Sequence, residues 1–344
     1  MAQVVTLDYQ QLTDPGADLL DEIEKAYGPS GLGILTVANV PGLPALRQRL
    51  LPLAQRFAEL PEEAKRRCED PDSLYNFGWS HGVESLQDGR PDRNKGSYYA
   101  NPLHDRPTED AQLMRSYPMY CRPNVWPNEN LPELEPAFRE LGRLIIDIGL
   151  LLTRHCDRYA QSKNPRIPPG RLEAAIGSSP CPKGRLLHYF PATSADDASA
   201  SWCGWHTDHG SLTGLMAAMY MKDGKVVPGP DERAGLHIRD REGQVVRVRI
   251  PADHIAYQMG EAMQVPSGGL LRATPHYVQA PTSAAALGVS RNTFAVFMQP
   301  RWDEPMDLPP CDHSTVSAAD MGVARQPSAW LPGAFGPEFC DTRP

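Results

Sequence analysis

Leu134, Ala137, Phe138, Leu141, Leu144, Ile145, Ile148, Leu151 and Leu152 return at steps of three and four along one stretch of the chain. That is the period of a single helix face. Asn130 is a good N-cap with Glu133 three residues on, a capping-box pair, and Pro132 is tolerated in a first turn. So long a one-sided helix predicts a backing for a sheet. Upstream, Leu19, Leu20, Ile23 and Tyr27 predict a shorter helix. Residues 31–39 read as a strand closed by Pro41-Gly42, and Leu46, Leu50, Leu53, Ala54 and Phe57 mark a second amphipathic helix. His155 falls on or near the long apolar stripe, which predicts a core or helix-end histidine.

From about residue 172 the period changes. Short β-rich runs follow at 185–190, 212–220, 236–239, 244–250, 256–259, 270–273 and 293–298, separated by Gly, Pro, Asp and Ser clusters. Residues 240–243, Asp-Arg-Glu-Gly, read as a hairpin turn. Many short strands with regular turn signals predict a sandwich or barrel. The expected fold is mixed α/β (α+β), a double-stranded β-helix (jelly-roll) core with N-terminal and backing helices. Residues 1–170 form the helical and mixed region that covers the barrel, 171–305 the core and 306–344 a tail, as one catalytic unit. The 35 prolines punctuate the whole chain and mark no single linker.

The net charge is -8, and the longest basic run is Lys65-Arg66-Arg67. A nucleic-acid partner is therefore disfavoured, since phosphate binding needs a basic face. No stretch approaches the length of an apolar membrane span, and residues 1–14 lack the basic and apolar regions of a signal peptide. Seven cysteines, odd in number and without a CxxC pair, suit free thiols in a reducing compartment. Cys181 and Cys203 read as small core or loop residues. The expectation is a cytoplasmic protein with no obligate protein partner.

Residues 205–213, WHTDHGSLT, raise the chemistry. In an extended segment residues i and i+2 share a face, so His206 and Asp208 would sit side by side as metal ligands do. Taken alone, such a pair is more often a solvated strand face. A third ligand stands downstream in His276, after residues 267–273 and a proline. Two imidazoles and a carboxylate make the triad that leaves open positions on Fe(II), whereas structural zinc wants four closed ligands. A three-ligand zinc hydrolase also fits those ligands. Fifteen residues past His276 come Arg291 and Thr293, again i and i+2, at the head of an apolar strand. A guanidinium inside a barrel is costly unless it meets an anion, and its fork suits a carboxylate. His209, next to Asp208, is expected to face the other way, as a supporting or surface residue.

These pieces occur in order as HTDHGSLTGL (206–215), MGEAMQVPSGGLLRATPH (259–276) and SRNTFAVFMQP (290–300). In that order the chain resembles the isopenicillin N synthase-like branch of the 2-oxoglutarate and Fe(II)-dependent oxygenases, over most of residues 5–305. The resemblance implies that His206, Asp208 and His276 bind iron. It implies that Arg291 and Thr293 hold the distal carboxylate of 2-oxoglutarate, whose keto-acid end chelates the metal. The family's Asn-Tyr-Tyr-Pro segment reads His188-Tyr189-Phe190-Pro191 here, which implies cosubstrate contacts from His188 and Tyr189. The Ala-rich residues 282–287 are expected to form a surface loop.

The implied reaction uses dioxygen, yields succinate and carbon dioxide, and oxidises a small-molecule substrate, usually by hydroxylation. Residues 89–105 lie where the family covers the barrel mouth. There Arg93, Lys95, Tyr98, Tyr99 and Asn101 would suit a small polar or anionic molecule, with Trp202, Trp205 and Tyr257 as pocket wall or core. Two alternatives stay open at this point. One is a same-fold oxidase that uses dioxygen without 2-oxoglutarate, and the other a non-catalytic binding or sensor protein.

Overall fold

The computed structural model describes residues 4–84, 91–192, 202–282 and 286–310 and builds them around two β-sheets. In chain order the first strands are β1 (Val5–Asp8), β2 (Ile34–Ala38), β3 (Gly78–His81), β4 (Lys95–Ala100) and β5 (Lys183–Tyr189). Then come β6 (Cys203–His206), β7 (Leu212–Met216), β8 (Met219–Lys222), β9 (Lys225–Val227) and β10 (Gly235–Arg239). The last are β11 (Val245–Arg247), β12 (Ile255–Met259), β13 (His276–Gln279) and β14 (Ser290–Met298). The ten-stranded sheet runs β1-β2-β12-β7-β14-β5-β4-β3, with β8 and β9 attached through β14. The four-stranded sheet runs β11-β10-β13-β6. The two enclose a jelly-roll core, and the N-terminal strands hydrogen-bond directly into the larger sheet.

Among the described residues nine α-helices accompany the sheets, and the longest of them pack on the outer face of the larger one. They are α1 (Tyr9–Thr13), α2 (Leu20–Tyr27), α3 (Leu43–Ala58), α4 (Glu62–Arg66), α5 (Ala111–Ser116), α6 (Pro118–Cys121), α7 (Leu134–Lys163), α8 (Arg171–Gly177) and the short α9 (Glu261–Gln264). The apolar stripe of α7 is buried, and Cys156, Tyr159 and Ala160 continue its period to a length of 30 residues. His155 lies buried on this helix, its ring facing Leu12 O at 3.4 Å. Phe138 meets Phe294 of β14 edge-on at 4.8 Å. Ile145 lies so close to β7 that a Cβ on Gly214 would sit 2.2 Å from its Cγ2, so glycine alone fits there.

Three local expectations fail for physical reasons. The capping box does not form: Glu133 is the N-cap and makes no side-chain cap bond. Asn130 is spent one turn earlier, its N–H on Pro127 O and its side-chain oxygen on Arg67. The run 212–220 breaks between β7 and β8, where the Ala217 and Ala218 carbonyls turn to accept the buried Arg47 guanidinium. Residues 270–273 are no strand; Leu271 enters the core and Ala273 N donates to Gln264 Oε1 at 2.8 Å.

Register fixes which side chains face inward, because directly opposed residues share a face. On β5 and β14, Arg185, Leu187 and Tyr189 oppose Ala295, Thr293 and Arg291 on the inner face. Leu186 and His188 oppose Phe294 and Asn292 on the helix side. A separate apolar cluster, Leu32, Ile34, Ile238, Val248 and Ala256, fills the space between the two sheets. Among the described residues no helix is long and apolar enough to cross a membrane. Cys68, Cys121, Cys156 and Cys181 are buried thiols, while Cys311, Cys340, part of the 282–287 loop and most of the tail lie outside the described residues.

Lys183, at the far end of the β5 row, is buried under Phe77, with its Nζ 4.3 Å from the ring centroid and donating to Met119 O. Burial pulls its ammonium down to about 7. An unfolded lysine titrates near ~10.4. The fold therefore carries the full cost of charging Lys183 below pH 7 and is relieved of it as pH rises towards the unfolded value. Melting temperatures measured from pH 7 to 10 should rise more for the wild type than for Lys183→Met. Parallel profiles would show that burial does not perturb this lysine.

Candidate active site

The smaller sheet presents two imidazoles side by side. His206 on β6 and His276 on β13 are register partners, with ring centroids 4.2 Å apart. Asp208 Oδ1 lies 3.8 Å from His206 Nε2 and 3.7 Å from His276 Nε2. One ligand atom from each residue falls within 4.8 Å of the others. The Nδ1 atoms point away from this centre, that of His206 onto Gly204 O at 2.8 Å and that of His276 onto Thr274 O at 3.1 Å. A proton held at Nδ1 by a carbonyl leaves Nε2 as the lone-pair ligand. Two imidazole nitrogens and one carboxylate oxygen on one side of an ion fit a site that keeps open positions.

Asp208 is placed by a clamp. β6 ends at His206, and residues 207–211 cross from the smaller sheet to the larger one. The first N–H groups of α9 hold this crossing: Glu261 N donates to Asp208 O at 2.8 Å and Ala262 N to Gly210 O at 3.1 Å. Glu261 also accepts from Thr207 Oγ1 and pairs with His209 Nδ1 at 2.7 Å. Gly260 makes the approach possible, since a Cβ there would lie 2.0 Å from Gly210 O.

Arg291 supplies the second half of the site. Its guanidinium lies 4.8 Å from the Tyr189 ring and 5.1 Å from the Trp202 ring. Nε and Nη1 are buried and have no hydrogen-bond partner among the described residues. Two flanking aromatics and buried, unused donors make a socket for an anion. Thr293 shares the face, but its hydroxyl donates to Met216 O at 2.9 Å, so its proton is committed to the backbone.

The other expected residues separate into two groups. Lys95 and Tyr99 of β4 point inward and join a network missed in the sequence: Lys95 Nζ meets Glu84 at 2.8 Å and Asp92 at 3.1 Å. Arg185 meets Glu84 at 2.6 Å and Ser97 Oγ at 3.0 Å and lies over the Tyr99 ring. Burial opposes ionisation of Glu84, yet Arg185 and Lys95 outweigh it and hold the carboxyl well below its ordinary range.

The rest face elsewhere. His188 points to the helix side and bonds Asn292 Oδ1 at 2.8 Å, so it does not share the face of Arg291. Tyr98 packs against Phe57 and Phe138, with its hydroxyl on Val125 O. Tyr257 is buried beneath α7, its hydroxyl on Ile145 O at 2.7 Å. Asn101 ties Pro180 O to the 103–104 backbone. Trp205 faces away from His206 and packs at a tilt against Tyr277 on the outer side of the smaller sheet, and Arg93 is exposed. Trp202, expected as pocket wall or core, lies against Arg291, and Arg185 carried a usable signal, a cation at the head of the apolar pair Leu186-Leu187.

A family profile described as "non-haem dioxygenase in morphine synthesis N-terminal" matches residues 4–129. The 2-oxoglutarate-dependent dioxygenase citB of Monascus ruber is 26% identical over 283 residues, covering 78% of this chain and 77% of that protein. Homoarginine-6-hydroxylase 2-ODD-233 of Oryza sativa subsp. japonica is 25% identical over 245 residues, or 68% and 65% of the two chains. In fold, a full-length Neurospora crassa protein solved in complex with alpha-KG superposes with a TM-score of 0.71 at 18% identity, covering 96% of this chain and 94% of that one. A 2OG-Fe(II) oxygenase family protein from Caulobacter crescentus gives 0.68 at 19% identity over 93% of each chain. The jelly-roll fold, the N-terminal profile match and dioxygenase relatives over three quarters of the chain's length together support the 2-oxoglutarate- and Fe(II)-dependent oxygenase superfamily.

Proposed function

We propose that His206, Asp208 and His276 hold Fe(II), that Arg291 seats the distal carboxylate of 2-oxoglutarate, and that the enzyme hydroxylates a small polar molecule. The observation that carries this reading is the buried Arg291 guanidinium, with two donors unused, beside the segment that leads into the metal-type triad. When bound, iron with 2-oxoglutarate and dioxygen supplies the oxidising power, and the cosubstrate leaves as succinate and carbon dioxide.

The protein's own part is placement. The Gly204 and Thr274 carbonyls face the two Nδ1 atoms, which keeps Nε2 turned to the centre, and Asp208 would offset part of the metal charge. Tyr189 and Trp202 wall the anion socket against water. On the substrate side, Lys95, Tyr99, Arg185 and Glu84 line the inner face with charge and hydroxyl groups. That lining suits a small polar or anionic substrate. The Neurospora crassa protein has been solved with thymine, and the rice relative is named for homoarginine, both small polar molecules. Buried thiols at Cys68, Cys121, Cys156 and Cys181 support a reducing compartment such as the cytoplasm.

Anaerobically Fe(II)-loaded protein mixed with 2-oxoglutarate and air should release succinate, faster when a true substrate is added. Substrate consumption with no succinate would replace this reading by direct oxidation with dioxygen.

A further inference from the structure

Gln258 lies on β12 of the larger sheet, wholly buried, and faces across the barrel to the smaller sheet. Its side-chain amide stands 2.5 Å from His276 Nδ1, closer than the Thr274 carbonyl at 3.1 Å. As oriented, the amide nitrogen faces Nδ1, while Oε1 is buried with no hydrogen-bond partner among the described residues. For Nε2 to serve a metal, Nδ1 must carry the proton, and N–H against NH2 is a clash of donors. The two ends of a glutamine amide have the same shape, and hydrogen bonding decides between them. With the amide turned over, Oε1 accepts Nδ1–H. The amide nitrogen then points to the side that Oε1 occupied. Thr213, the register partner of Gln258 on β7, holds a buried hydroxyl on the same face with no partner among the described residues.

We propose that Gln258 is a positioning residue. Its carbonyl oxygen fixes the distal imidazole of His276 in the Nδ1–H tautomer and sets its ring plane, joining the larger sheet to the metal centre. This rests on the reading of His206, Asp208 and His276 as the metal ligands. Among the described residues His206 has no amide partner of this kind: the Gly204 carbonyl at 2.8 Å and the Cys203 sulfur at 3.6 Å face its Nδ1, both from its own strand. The two histidines are thus held differently, and His276 is the one tied to the opposite sheet.

The test uses the whole chain and Co(II), or Fe(II) under anaerobic conditions, as the probe, titrated by calorimetry. Gln258→Leu keeps the bulk and removes the acceptor. Loss of an outer partner of a metal-binding histidine weakens affinity about 10- to 100-fold, and that loss is expected here. Gln258→Glu retains an oxygen acceptor and should restore affinity to the wild-type level or above. In Co(II)-loaded protein, one exchangeable imidazole N–H proton should shift in Gln258→Leu while the His206 signal stays.

Gln258→Leu binding metal as tightly as the wild type would overturn the proposal. So would Gln258→Glu binding more weakly than Gln258→Leu, which would mean that the amide donates to a bare Nδ1. If Gln258→Leu does not fold, the Glu variant and the N–H spectrum of the wild type decide alone. A wild type that binds no metal would instead overturn the triad reading itself.

Discussion

Asp208→Ala is expected to strip the protein of metal and of all succinate formation. Asp208 is the only carboxylate in the triad, and its Oδ1 stands 3.8 and 3.7 Å from the two ligand nitrogens. Its loss would leave a divalent charge facing two neutral imidazoles in a buried site. The drop in metal affinity should exceed the roughly 10- to 100-fold that follows loss of an outer partner alone. Metal content after dialysis and succinate release check this together. His155→Ala is the matched control, because that histidine is buried on α7 against Leu12, away from the triad. Asp208→Ala retaining bound metal, or His155→Ala losing it, would remove the ligand assignment.

Arg291→Gln should separate the cosubstrate from the metal. A hydrogen bond to a charged group contributes about 1.5–3 kcal/mol, so losing the guanidinium should raise the apparent KM for 2-oxoglutarate roughly 10- to 150-fold. Arg291→Lys keeps the charge without the fork and should fall between. Metal affinity should not change in either variant. Stability supplies an independent sign: without an anion, the wild type buries a charge with unused donors, a cost that Arg291→Gln removes. The variant should therefore melt at or above the temperature of the ligand-free wild type and gain little when 2-oxoglutarate is added. The wild type should gain in proportion to occupancy. Unchanged 2-oxoglutarate turnover in Arg291→Gln would end the cosubstrate role.

Much of the architecture was legible because its signals are local. The helical period of α7 and the order of the His-x-Asp, His and Arg motifs survive in one linear reading. What depended on partners was not. His188 and Tyr189 are neighbours in sequence, and only the pairing of β5 with β14 decides that Tyr189 joins Arg291 while His188 turns to the helices. The same alternation divides β4: Tyr99 and Lys95 point in, Tyr98 points out. The i, i+2 rule describes Arg291 and Thr293, which lie within one strand. For Asp208 it gave the right neighbours by a wrong cause, since the strand ends at His206 and α9 sets the carboxylate. Gln258 gave no signal beyond a lone amide in an apolar strand, because the ring it meets belongs to the other sheet.

The two halves of the site stand on different walls. His206 and His276 belong to the smaller sheet, Arg291 to the larger, and a cosubstrate bound as proposed would span the gap. Facing sheets sit about 10 Å apart, a distance set by the side chains between them. Here Leu32, Ile34, Ile238, Val248 and Ala256 act as the spacer. On that proposal the sandwich would work as a calliper for a dicarboxylic acid. The span of its jaws would follow the girth of these five aliphatic residues, so a shorter or longer diacid should bridge the two walls less well.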